Sequence, residues 1–270
     1  GQRGGGSVVG LTGPGFAGGR GAGAASPSPL GAPPSEDVRV HTLDNGLRVL
    51  SERLPGVRSV AVGVWVVQGG AHETADLMGE SHLLEHMLFK GSRTRSPREI
   101  ALALESLGGS LDAYTAREHT AYQARILDVH LAEAVEVLAD LTLNPLLLDR
   151  DLALERDVVL EEISAVEDTP DDLVFDLHGR LLWGDHGYGH PILGTRSSVG
   201  GMTGERLRHL HARAYRARNL VVAAAGNLDH RELAALAERY FGGREPGVAR
   251  DPVPSPEAPP VVRRHIERES

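Results

Sequence analysis

Cysteine is absent from all 270 residues. That excludes disulfide scaffolds, thiolate zinc sites, iron–sulfur clusters and cysteine nucleophiles at once. Lysine is almost absent too: Lys90 stands alone against 27 arginines, an imbalance that reads as the coding bias of a GC-rich genome. Positive charge is in deficit, with a formal net charge of −9, which argues against nucleic acid or an anionic membrane held by bulk charge. No apolar run approaches the ~18 residues that would cross a bilayer, and no apolar core of a signal peptide is present. What remains is ordinary globular material, 41% hydrophobic and 24% charged, at a length for one or two domains.

Residues 1–36 stand apart. The first 35 hold 12 of the 33 glycines and five of the 16 prolines, with two arginines and no acid. Such a segment buries too little apolar surface to offset its ordering entropy, so disorder is the expectation. Gly13-Pro14-Gly15-Phe16-Ala17-Gly18 matches the dinucleotide fingerprint by letter. No strand leads into it, however, and Gly19, Gly21 and Gly23 forbid the helix that must follow.

From Val38 the pattern becomes regular. Two alternating runs flank Asp44-Asn45-Gly46, which signals a hairpin. A third strand is predicted over 59–67, with Val60, Val62, Val64 and Val66 on one face. Helices are predicted over 81–89 and 97–107, a second strand pair over 111–115 and 120–127, and helices over 130–143, 150–167 and 171–183. A helix over 205–215, an apolar strand over 219–225 and a helix over 231–241 follow. Hairpins with helices between the pairs predict an α+β fold, a mainly antiparallel sheet packed with helices, over residues 37–245. Residues 246–270 carry Pro246, Pro252, Pro254, Pro256, Pro259 and Pro260. They read as an extended linker leading away, with 261–267 the first strand of an absent second half.

The chemistry concentrates in Ser81-His82-Leu83-Leu84-Glu85-His86-Met87-Leu88-Phe89. On a helix, His82 and His86 at i and i+4 share a face with Glu85. Two imidazoles one turn apart reach one zinc, and the carboxylate between them is placed as a base beside its open position; this is the inverted order of His-Glu-x-x-His. Without cysteine, the third ligand must be a distant histidine or carboxylate. The helix over 150–167 offers Glu155 and Glu162, seven apart on a stripe with Val159 and Val166, where burial of a carboxylate demands a partner or a metal. Glu161 shares a stripe with Leu154 and Val158 and stays open on pattern alone. Elsewhere the plainer reading holds. Asp185-His186-Gly187-Tyr188-Gly189-His190-Pro191 has loop composition, and His119, His130, His178, His209 and His211 have no partner at ligand spacing. Trp183 and Tyr215 are expected in the core.

Three stretches together resemble the pitrilysin/insulinase zinc peptidases, which include the mitochondrial processing peptidase. They are 79–91 around the paired histidines, Gly108-Gly109-Ser110-Leu111-Asp112-Ala113-Tyr114-Thr115, and 155–162. Glu162 lies 76 residues after His86, the spacing of that family's distal glutamate. The resemblance implies one Zn²⁺ held by His82, His86 and Glu162, with Glu85 as general base. It places Glu155 beside the metal site as a supporting glutamate, grouped with Glu85 among the catalytic residues. Asp112 and Ala113 match the substrate-binding strand, where many relatives carry asparagine before the alanine; aspartate lacks the amide donors. The implied activity is endopeptidase hydrolysis of extended or unfolded peptides laid beside the strand over 111–115. The implied partner is a homologous second half, in the same chain or as another subunit. A non-catalytic or partner-dependent subunit is the competing reading, against which the intact histidine–glutamate motif speaks. A lyase with the same inverted motif, of the S-ribosylhomocysteine type, completes its site with a cysteine this chain lacks.

Overall fold

The computed structural model describes residues 38–257. The expected disorder over 1–36, the Gly13–Gly18 fingerprint and the strand over 261–267 lie outside those residues. Strands β1 (Val38–Thr42) and β2 (Arg48–Arg53) form the predicted hairpin. Its turn is tied down at both ends of Asn45. Oδ1 accepts the Leu47 N–H at 3.1 Å, and Nδ2 donates to the carbonyls of Phe241 and Gly242 at 2.9 and 3.1 Å. Gly46 adopts φ +90°, a conformation that a side chain would oppose.

The remaining strands are β3 (Ser59–Val66), β4 (Ser110–Thr115), β5 (Thr120–Leu127) and β6 (Leu220–Gly226). They form one six-stranded sheet in the order β1-β2-β6-β3-β5-β4. Every pairing is antiparallel except β2 with β6, which run parallel. One face of the sheet is buried through Val60, Val62, Val64, Val66, Tyr122, Ala124 and Val222. Helices α3 (Leu131–Leu143) and α8 (His230–Phe241) lie across that face. The period of two puts Ala61, Trp65, Ala223 and Ala225 on the other face, where they are exposed or half-buried.

Helix α1 (Glu80–Leu88) packs against β4 and β5 on one side and against α4 (Asp149–Asp168) on the other. Helix α2 (Pro97–Glu105) begins with a capping box, Ser96 with Glu99. Helix α5 (Pro170–Trp183) lies on α4, and α6 (Arg196–Gly200) and α7 (Gly204–Ala214) complete the set. Tyr215 is buried as expected. Trp183 is only half-buried, because α5 is an outer layer with no fully buried residue. Within the described residues the proline-rich segment does not lead away. It runs back over the body, where Arg218 N–H donates to Pro246 O at 3.0 Å, Asn219 Oδ1 accepts the Arg250 N–H at 2.8 Å, and His186 Nε2 donates to Pro254 O at 3.0 Å.

Candidate metal centre

Helix α1 starts at a residue that cannot cap it. Gly79 occupies the N-cap in the left-handed region, φ +88°, and a Cβ there would sit 2.5 Å from Leu193 O. Glu73, buried, supplies the cap from outside: its two carboxylate oxygens accept the N–H groups of Gly79 and Ser81, each at 2.7 Å. Burial pushes the Glu73 carboxyl up to about 7. Leu83, Leu84, Met87 and Leu88 turn into the core, which leaves His82, Glu85 and His86 facing α4 and β4. On α4 the buried stripe is Leu152, Glu155, Val159 and Ile163, so the flank beside it presents Glu162 to α1.

The two imidazoles meet edge to face, ring centroids 4.6 Å apart. His82 Nε2 lies 3.7 Å from Glu162 Oε2, and His86 Nε2 lies 3.7 Å from Glu162 Oε1. Neither contact is a hydrogen bond. One donor atom from each of the three residues falls within 4.8 Å of the others, the only such convergence found among the described residues. Donors on a tetrahedral zinc with bonds of 2.0–2.1 Å stand about 3.4 Å apart, so the spacing fits a cation better than it fits direct contact. Burial, reinforced by His86, pushes the His82 imidazole down to about 4. The ring is therefore neutral with a lone pair to give, while its buried Nδ1 has no partner. Histidine and carboxylate donors with no thiolate are a common catalytic zinc set, and the residues present fit that ion.

Glu85 lies beside this cluster, 9% exposed. Its Oε2 accepts the Thr115 hydroxyl proton at 2.5 Å, and burial raises its carboxyl above the usual range against that hydrogen bond. A groove of about 510 Å³ opens over His82 and Glu85, walled by Ala113, Thr115, Phe175 and Leu193. Strand β4 is an outer strand of the sheet. Ala116 N–H donates to His119 O at the β4–β5 turn. Alternation from that pair turns the peptide groups of Ala113 and Thr115 outward, away from β5.

The expected site residues therefore divide. His82, Glu85 and Ala113 line the groove, and His86 and Glu162 meet His82 in the donor cluster. Glu155 does not line it: its Oε2 lies 3.2 Å from His86 Nδ1 and its Oε1 lies 2.7 Å from Lys90 Nζ. Asp112 is exposed on the opposite face of β4, its carboxylate accepting from Ser110 Oγ, because a strand reverses side chains at each step. Glu161 is exposed, on the solvent-facing stripe with Leu154 and Val158. Glu73, Lys90 and Thr115 were missed as site residues. Thr115 was legible as the same-face neighbour of Ala113, and Lys90 as the one lysine.

A six-stranded sheet with this helix laid beside its outer strand is one half of a peptidase fold: a protease from Helicobacter pylori superposes with a TM-score of 0.76 at 22% identity, over 82% of this chain and 53% of that one. The chain itself belongs to the insulinase family, peptidase family M16, whose family model matches residues 48–196. A second model of the same family, the peptidase M16 inactive domain, matches residues 201–270. An uncharacterized zinc protease of Mycobacterium leprae is 48% identical over 203 residues, 75% of this chain and 46% of the relative. One from Streptomyces coelicolor is 42% identical over 229 residues, 85% of this chain and 50% of the relative. The chain thus spans about half the length of the curated relatives it matches.

Proposed function

We propose that this chain carries the metal site of a zinc endopeptidase that hydrolyses extended or unfolded peptides and works with a homologous second half, in the same chain or as a partner subunit. The observation that carries the reading is the convergence of His82, His86 and Glu162 with Glu85 at their side. The three would hold one Zn²⁺, which when bound acts as a Lewis acid and lowers the pKa of a coordinated water to about 7. Glu85, with Oε2 engaged by Thr115, offers Oε1 to accept a proton from the attacking water and return it to the leaving amine. The outward peptide groups of Ala113 and Thr115 let a substrate add to the sheet as an extra strand. Main-chain hydrogen bonds then give affinity with little sequence preference. Asp112 takes no part in this reading, since the same alternation turns its peptide groups toward Gln123 of β5 and its carboxylate to the opposite face. The likeness in length to half of each relative supports a requirement for the second half.

Elemental analysis and hydrolysis of an unstructured fluorogenic peptide, with and without the second half, test the reading. Glu85→Gln is expected to keep zinc and lose nearly all hydrolysis; wild-type turnover by that variant refutes the role given to Glu85. Glu162→Gln is expected to lower zinc occupancy, and unchanged occupancy removes Glu162 from the ligand set.

A further inference from the structure

Among 28 basic residues only one is lysine, and that lysine points at the metal centre. Lys90 follows the last turn of α1, its N–H donating to Met87 O at 3.2 Å. Its backbone is thus tied to the helix that carries His86. Its Nζ lies 2.7 Å from Oε1 of Glu155.

Glu155 needs that partner. Its side chain is 7% exposed, and a carboxylate so placed is costly unless paired. The pairing is divided, Oε1 to Lys90 and Oε2 to His86 Nδ1. An ionised carboxylate only accepts. His86 therefore keeps its proton on Nδ1 and turns a bare Nε2 toward Glu162. His82 has no such support, since its Nδ1 is buried without an acceptor. Orientation of the histidine pair by an acceptor thus falls on His86 and on whatever holds Glu155.

We propose that Lys90 is a positioning residue for the metal centre, anchoring Glu155 so that His86 presents Nε2 to the ion. This rests on the zinc site proposed above. It also explains why a lysine stands in a chain otherwise supplied with arginine. An ammonium is a point charge that binds one oxygen and leaves the other free. A guanidinium is a planar fork that takes both carboxylate oxygens and competes with His86 for Oε2.

The test is the zinc affinity of the full chain, read by competition with a chromophoric chelator, with circular dichroism of the metal-free protein as the check on folding. Lys90→Met is expected to weaken zinc binding about 10-fold or more, within the range of outer partners of metal ligands. Lys90→Arg is expected to fall between wild type and Lys90→Met, despite keeping the charge. In a Glu155→Gln background, Lys90→Met is expected to add nothing. The proposal is overturned if Lys90→Met binds zinc like the wild type, or if it weakens binding equally with and without Glu155. Failure of the wild type to bind zinc stoichiometrically would instead remove the zinc site itself, and the proposal with it.

Discussion

Behind Glu85, two phenols face each other in the core. Tyr122 and Tyr215 are buried to 0% and 1% exposure, their hydroxyls 2.7 Å apart. Burial holds both above the ordinary phenol range, with the charge of Glu85 adding to the effect. Each hydroxyl has the other as its partner, so Tyr122→Phe leaves the Tyr215 hydroxyl dry and unpaired. An orphaned buried polar group costs about 1–3 kcal/mol, whereas replacing both partners by apolar groups of the same shape is nearly neutral. For a body of this size 1 kcal/mol moves the melting point by about 2–4 °C, so each single variant should melt about 2–12 °C lower. The double variant Tyr122→Phe/Tyr215→Phe should recover most of that loss. Thermal unfolding of the zinc-free chain, followed by far-ultraviolet circular dichroism, measures all four proteins. A double variant that loses as much as the two singles combined would refute the reasoning, since the hydroxyls would then be acting independently.

Two further outcomes are expected. Thr115→Val removes the donor on Glu85 Oε2 and should lower kcat about 10-fold, as hydrogen bonds to charged groups are worth about 1.5–3 kcal/mol, while KM and zinc content hold; Thr115→Ser should restore the rate, and an unaltered kcat in the valine variant removes Thr115 from the account. Burial pushes the His211 imidazole down to about 4 against its hydrogen bond to Thr142 O. The unfolded chain therefore binds a proton below about pH 6.5 that the folded one refuses until about pH 4, and stability falls as pH drops across that window. Between pH 7 and pH 5 this group accounts for about 2 kcal/mol, so urea midpoints of His211→Gln should decline less over that interval than those of the wild type.

Local patterns carried most of the elements. The Asn45-Gly46 turn, the alternating valines of β3 and the apolar stripes of α1 and α3 are short-range signals, and each lies within a few residues of its expected bounds. Helix α6 went unread because five residues are too short for a periodicity; its Thr195–Ser198 cap was the sole local mark. The choice between Glu161 and Glu162 turned on misleading apolar neighbours: Leu154 and Val158 look like core in sequence, yet are 66% and 43% exposed. The resemblance to a family put Glu162 beside the histidines, and the packing of α1 on α4 does the same. The contacts of Thr115 with Glu85 and of Lys90 with Glu155 span 30 and 65 residues of chain, and no periodicity encodes which side chains meet at that range. Scarcity of lysine was visible from the start, but its meaning depends on what stands 2.7 Å away.

Strand β6 is the last of the six along the chain and lies third in the sheet, between β2 and β3. During synthesis the ribosome therefore releases two separate half-sheets, β1-β2 and β3-β5-β4, each with a raw hydrogen-bonding edge facing the gap. Helix α1 emerges long before the strand that joins those halves. Nascent chains stalled ahead of β6 should be sticky toward chaperones and blind to zinc, and both properties should change together once that strand clears the exit tunnel.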